Sequence, residues 1–125
     1  MNIKEEFRLA LRELVYPVCV VSSYNDETKE NNAITVSSVT SLSFEPPSIL
    51  VCINKNSSIH SSLKKDSNFI ISFLSSSQIE ISNLCGTDEL SDKRFDNDFW
   101  DFKNNIGFIK NSQSVISCTI KEITS

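Results

Sequence analysis

Ala33-Ile34-Thr35-Val36-Ser37-Ser38-Val39-Thr40-Ser41-Leu42-Ser43-Phe44-Glu45-Pro46-Pro47-Ser48-Ile49-Leu50-Val51-Cys52-Ile53 is the stretch that decides the fold. From 33 to 44 it alternates. One parity carries Ile34, Val36, Ser38, Thr40, Leu42 and Phe44, the other Thr35, Ser37, Val39, Ser41 and Ser43. Side chains on a strand point to opposite faces in turn, so a straight strand here has one face that is largely hydroxyl. That face suits either water, as a strand edge, or a polar ligand. Pro46-Pro47 ends the segment, because neither residue can donate to a ladder. Ser48 to Ile53 is a short apolar run, as expected of a central strand.

Upstream, Ile3, Phe7, Ala10, Leu11 and Leu14 mark one apolar stripe and predict a helix over 3–15. Pro17 stops it, and a buried strand begins at Val18-Cys19-Val20-Val21. The polar run 24–32 reads as a hairpin tip. Downstream, Asn54 to Ser58 is a polar turn. A short helix capped by Ser57 or Ser58 is expected next, with Lys64-Lys65 at its C-terminal end. Phe69 to Leu74 reads as a buried strand. Ser77 with Glu80 three residues later has the spacing of a capping box, and Gly86 is a natural helix stop. Residues 87–105 read as a long charged loop pinned by Phe95, Phe99 and Trp100, and long loops in small domains often carry function. A strand over 115–123 closes the chain. Four or five strands and three short helices, with few βαβ cycles, predict a mainly β fold with some α (α+β), barrel-like rather than doubly wound.

The chain has 125 residues, with 39% hydrophobic and 22% charged residues, the composition of one globular domain. Its net charge of −4 argues against nucleic-acid binding. No run of about 18 apolar residues predicts a membrane span. Acidic residues near the start argue against a signal peptide, so a cytoplasmic protein is expected. Two glycines, Gly86 and Gly107, are too few for a Rossmann or Walker loop. Cys19, Cys52, Cys85 and Cys118 recur every 33 residues, but the residues after them differ, so they mark no repeat. They have no Cys-x-x-Cys spacing and no histidine beside them, so no metal site is expected. Cys19, Cys52 and Cys118 read as small core residues on strands.

His60, the single histidine, sits among serines and is expected to be exposed, so no Ser–His–Asp set can be placed and no catalytic residue is named. What remains is hydroxyl: 22 serines along the sequence. Hydroxyls both donate and accept, and a helix start offers N–H groups to a phosphate. Ser57 and Ser58, with Lys93 or Arg94 as cation, would suit a ligand with hydroxyls and a phosphate. They would equally serve as an ordinary helix cap.

The 33–53 block resembles the signature of the flavin reductase-like family: a Thr-x-Ser-Ser type stretch, a Ser-hydrophobic-Ser step, an acidic residue before proline, then an apolar strand. The 54–58 turn, the 69–74 strand, Leu84-Cys85-Gly86, Asp92-Lys93-Arg94-Phe95 and Val115-Ile116-Ser117-Cys118 follow in the family's order, from about residue 5 to the end. The resemblance implies a split β-barrel that binds FMN, with FAD possible. It implies hydride transfer from NAD(P)H to the flavin, and a possible role feeding a partner monooxygenase. It places Thr35, Val36, Ser37 and Ser38 along the flavin ring and ribityl chain, and Ser41 and Leu42 at the ring edge. It places Asn54, Asn56, Ser57 and Ser58 at the phosphate, with Lys93, Arg94 and Phe95 closing over it. It also implies a homodimer. Members continue into a Gly-Asp-His turn and further strands, so residues 1–125 are expected to be a domain lacking its C-terminal strands. The usual glycine near Ala33 is absent. A flavin-binding electron carrier or sensor, and a β-barrel interaction domain without ligand, are the alternatives.

Overall fold

A computed structural model describes residues 2–12 and 17–125. Helix α1, Ile3–Arg12, is capped by Asn2, whose side-chain oxygen accepts from the Glu5 N–H at 2.9 Å. The expected end of the helix at 13–15, with Leu14, lies outside the described residues. The strands are β1 Cys19–Asn25, β2 Glu30–Val36, β3 Val39–Phe44, β4 Pro47–Val51, β5 Asn68–Phe73, β6 Trp100–Lys103, β7 Ile106–Ile109 and β8 Ser114–Thr119. Helix α2, Ile79–Gly86, lies between β5 and β6. Eight strands and few helices make a mainly β fold with some α, as the sequence predicts, but with more strands than expected. The strands form an antiparallel sheet in the order β2-β1-β5-β8 and two separate hairpins, β3–β4 and β6–β7. Among the described residues these sheets do not close into a barrel.

The alternation in β1 explains why this sheet sits in the middle. Cys19 and Val21 point into one cluster, with Val36, Ile59, Phe69 and Ile71. Val20 points into the other, with Ala33, Ile81, Cys85, Trp100 and Ile109. Neighbours of opposite parity are both fully buried, so both faces of the sheet are covered. The β3–β4 hairpin contributes Val39, Ile49 and Val51 to the first cluster. Helix α2 and β6–β7 cover the second.

Buried serines join these layers. The Ser72 hydroxyl accepts from the Ile109 N–H at 3.0 Å, and the Ser22 hydroxyl donates to the Gly107 carbonyl. Ser62 donates to the Ile59 carbonyl at 2.8 Å, so the short Ser23–Ser62 hydrogen bond has Ser23 as its donor. Part of the serine excess therefore satisfies main-chain groups between layers, which would otherwise be buried without partners.

Several expectations need correction. The alternating stretch is two strands, with the break at Ser37-Ser38. The segment ends at Phe44, ahead of Pro46-Pro47 as expected, and Pro47 itself opens β4, opposite Phe44. Proline is tolerated as the first residue of a strand. The β1–β2 tip is only residues 26–29, held by the Asn25 side chain, which accepts from Glu27 N and Thr28 N at 3.0 and 3.2 Å. Helix α2 starts after Gln78 and has no side-chain cap, so the Ser77–Glu80 capping box is not formed. Instead the Gln78 amide accepts from Ser75 N and donates to the Lys110 carbonyl, both at 2.9 Å. Cys52 is exposed just past β4, whereas Cys19 is buried and Cys118 half-buried. The 87–105 loop contains a 3-10 segment, Asp88–Lys93, and strand β6.

Candidate functional site

Strand β2 is an edge of the central sheet and carries the Thr35–Val36 end of the candidate site. Ala33 and Thr35 share a face with α2, while Ile34 and Val36 point into the first core cluster. Val36 is 9% exposed, so its side chain is a core residue. Thr35 is half-buried and its hydroxyl donates to the Ser82 carbonyl of α2 at 2.7 Å. Its proton is thus committed, and only its lone pairs remain for a ligand.

Past β2 the chain crosses to the β3–β4 sheet. Ser37 and Ser38 are both exposed. The Ser38 hydroxyl donates to the Cys52 carbonyl at 3.1 Å, and the Cys52 N–H returns to the Ser38 carbonyl at 3.2 Å. This pair fastens the end of the 35–38 segment beside the residue that leads into the 54–58 turn. The structure therefore brings together two parts of the site that lie apart in sequence. Ser41 lies three residues along β3, about 10 Å from Ser38 at strand spacing. It is exposed, as is Leu42.

The turn itself is built from Asn54. Its side-chain oxygen accepts from Asn56 N at 2.9 Å and its carbonyl from the Ser57 hydroxyl at 2.7 Å. The short helix expected here is not an α-helix. A three-residue 3-10 segment, His60–Ser62, follows Ile59, with no side-chain cap. Ser57 and Ser58 are thus not helix caps, and this turn presents no α-helix N-terminus to a phosphate. Asn54, Asn56 and Ser58 are exposed and Ser57 half-buried, as a polar turn requires. The sequence reading passed over Lys55, an exposed cation inside this turn. His60 is exposed, as expected.

The 93–95 step divides. Lys93 is exposed at the end of its 3-10 segment. Phe95 is half-buried and stacks on Trp100, with ring centroids 4.3 Å apart. Arg94 is 4% exposed and points inward, which corrects the expectation of a cation closing over a phosphate. Its guanidinium donates to the carbonyls of Ala33 at 2.8 Å, Leu84 at 3.1 Å and Thr87 at 3.1 Å. Carbonyls at the end of a helix lack partners within it and carry partial negative charge, so this buried cation is compensated by the C-terminus of α2. Trp100 in turn donates its indole N–H to the Arg94 carbonyl at 2.6 Å. Trp100 was legible as an anchor, whereas the Arg94 fork and the Ser82 carbonyl leave no sequence signal.

The residues present suit a flavin nucleotide. Exposed hydroxyls and amides at Ser37, Ser38, Asn56 and Ser58 can pair with a polyol, and Lys55 supplies positive charge for a phosphate. Among the described residues no three metal-ligating side chains converge.

Comparison with known proteins gives the same direction. Residues 11–125 match the family described as "Flavin reductase like domain". The chain is 29% identical over 118 residues to the reductase component of the FADH(2)-dependent resorcinol hydroxylase of Rhizobium sp. (strain MTP-10005), covering 94% of this chain and 66% of that one. It is 28% identical over 122 residues to the FMN reductase (NADH) RutF of Pantoea ananatis (strain LMG 20103), covering 97% and 63%. It therefore spans just under two thirds of these relatives. In structure it is similar to the NADH:FAD oxidoreductase SgcE6 of Streptomyces globisporus C-1027, solved with NAD and FAD fragments. The TM-score is 0.86 at 22% identity, covering 98% of this chain and 73% of that one. With a family match that runs from residue 11 to residue 125 and a fold shared with solved flavin reductases, the chain belongs to the flavin reductase like domain family.

Proposed function

We propose that this chain is a flavin-binding domain of an NAD(P)H-dependent flavin reductase, taking FMN, with FAD as the alternative, and supplying reduced flavin to a partner monooxygenase. The observation that carries the reading is the family match over residues 11–125. Relatives named as an FMN reductase (NADH) and as the reductase component of a hydroxylase support the chemistry and the partner. In this reading Thr35, Ser37 and Ser38 line the ring and ribityl chain, with Ser41 and Leu42 farther along β3. The turn of Asn54, Asn56, Ser57 and Ser58 meets the phosphate, and Lys55 and Lys93 supply charge. A bound flavin supplies the redox chemistry, accepting a hydride from a reduced nicotinamide. The chain's own task is to hold the two rings in register, which explains why no acid–base pair is needed. The reading places the protein in the cytoplasm and takes its working form to be a homodimer.

The test is to mix the purified chain with FMN and NADH without oxygen and follow the yellow flavin absorbance. Bleaching that scales with protein concentration is expected. No bleaching, with FMN still bound, would favour the electron-carrier reading instead. No FMN binding would end both.

A further inference from the structure

We propose that Arg94 is a positioning residue, a buried crossbar that sets the spacing between β2 and α2 and so shapes the Thr35–Ser38 lip of the cofactor site. The proposal rests on the flavin reading above.

Two fasteners join β2 to the second half of α2. Arg94 bridges Ala33 on β2 to Leu84 and Thr87 at the helix end. Two residues farther along β2, Thr35 reaches the Ser82 carbonyl. Beside them Gly86 faces Thr35, where an added Cβ would lie 3.5 Å from the Thr35 Cβ. The helix end and this strand therefore meet in ordinary van der Waals contact at Thr35. Arg94 itself is 4% exposed and its guanidinium is bound to Ala33 and the end of α2, so it acts on the lip through them.

The chemistry of the crossbar is specific to arginine. Its planar fork sends separate N–H groups to three carbonyls. A lysine ammonium is a point charge on a flexible stem and cannot hold that arrangement. Arg94→Lys therefore keeps the charge and most of the volume while releasing the spacing. Loosening α2 frees the Thr35 hydroxyl to rotate and lets the lip drift, which weakens flavin binding without touching the flavin.

The experiment measures FMN affinity of the chain by fluorescence quenching, well below the melting temperature, for the wild type, Arg94→Lys and Ile109→Val. Ile109 packs in the same buried cluster, so Ile109→Val controls for general destabilisation. The expected result is a Kd raised roughly tenfold in Arg94→Lys, a size that coupling through packed neighbours reaches, and an unchanged Kd in Ile109→Val. Affinity within twofold of wild type in folded Arg94→Lys would overturn the proposal, as would an equal loss in Ile109→Val. If Arg94→Lys does not fold, hydrogen exchange of the wild-type chain tests the same coupling: added FMN should slow exchange at the α2 amides near Ser82 to Gly86, and unchanged exchange there with FMN bound would overturn the proposal. A wild-type chain that binds no FMN at all refutes the flavin reading, a result distinguishable from the failure of the crossbar.

Discussion

At the scale of single residues, burial separates four cysteines that look alike in sequence. Cys19 and Cys85 are fully buried, and loss of hydration pushes both thiols up to about 11. For Cys85 the nearby Arg94 opposes that rise without cancelling it. Burial also raises Cys118. Cys52 stands exposed beside the Ser38 pair. Iodoacetamide under native conditions should therefore modify Cys52 first, with Cys19 and Cys85 reacting only on unfolding, as mapped by mass spectrometry. Early labelling of Cys85 would contradict the packing of α2 on the sheet. The same thiols set a pH dependence. In the unfolded chain they ionise near their ordinary value of 9.0, while the folded chain keeps them neutral to about 11. Above pH 9 the unfolded state binds fewer protons than the folded one, so stability falls as pH rises. Their contribution is fully present below about pH 9 and is lost between 9 and 11. Urea titrations across that range should show a shallower fall in Cys19→Ala and Cys85→Ala than in the wild type.

At the scale of elements, the β6–β7 hairpin shows what a sequence hides and why. Its strands have four residues each, too short for an alternation to stand out, and residues up to 105 read equally well as a loop pinned by Phe95, Phe99 and Trp100. The signal that was available is Asn104-Asn105. Both residues have positive φ, 50° and 72°, the conformation of a two-residue hairpin turn whose twist matches its strands. Asparagine tolerates that region and alanine does not, so Asn105→Ala should cost about 1 kcal/mol in urea unfolding, while Asn105→Gly should be neutral or better. Gly107 is a stricter test. A Cβ there would sit 2.8 Å from Trp100 Cε3 and 3.2 Å from Phe95 Cε1. Gly107→Ala should cost about 1–3 kcal/mol, the size of an overpacked core, and should shift the indole fluorescence. A silent Gly107→Ala would mean the hairpin does not pack on this stack. The caps were misread for a related reason. Ser57 and Ser77 looked like N-caps because serine often serves there, but each hydroxyl found a closer partner, Asn54 O for Ser57 and Ser75 Oγ for Ser77. The central strands were legible because each carries a short apolar run, Val18 to Val21 leading into β1 and Phe69 to Ile71 in β5. The break between β2 and β3 at Ser37-Ser38 was not legible, because the alternation of residues 33–44 runs on through it. The inward turn of Arg94 was not, since its carbonyl partners come from three separate segments.

At the scale of the whole molecule, apolar surface remains to be covered. The stripe on α1 forms as the spacing of Ile3, Phe7 and Leu11 requires, yet Ile3 is 84% and Phe7 64% exposed. A ten-residue helix is marginal in water on its own, so its stability must come from a surface packed against that stripe. The β3–β4 hairpin leaves Phe44 87%, Leu42 60% and Leu50 49% exposed. Single exposed apolar residues are ordinary, but two elements that each turn several large side chains to solvent point to an interface. A specific interface covers about 800 Å² on each partner, and at about 25 cal/mol per Å² apolar area of that order outweighs the cost of association. The homodimer proposed above gives both faces an occupant. Sedimentation at micromolar concentration should then give twice the 14.1 kDa chain mass. Phe44→Asp and Phe7→Asp should each shift the chain toward the monomer while leaving the β1–β5 core folded by circular dichroism, because neither side chain belongs to the two buried clusters. A wild-type chain that sediments as a monomer would show that these faces are not joined by a second copy. If only Phe44→Asp dissociates the pair, the hairpin face carries the contact and α1 draws its stability from elsewhere.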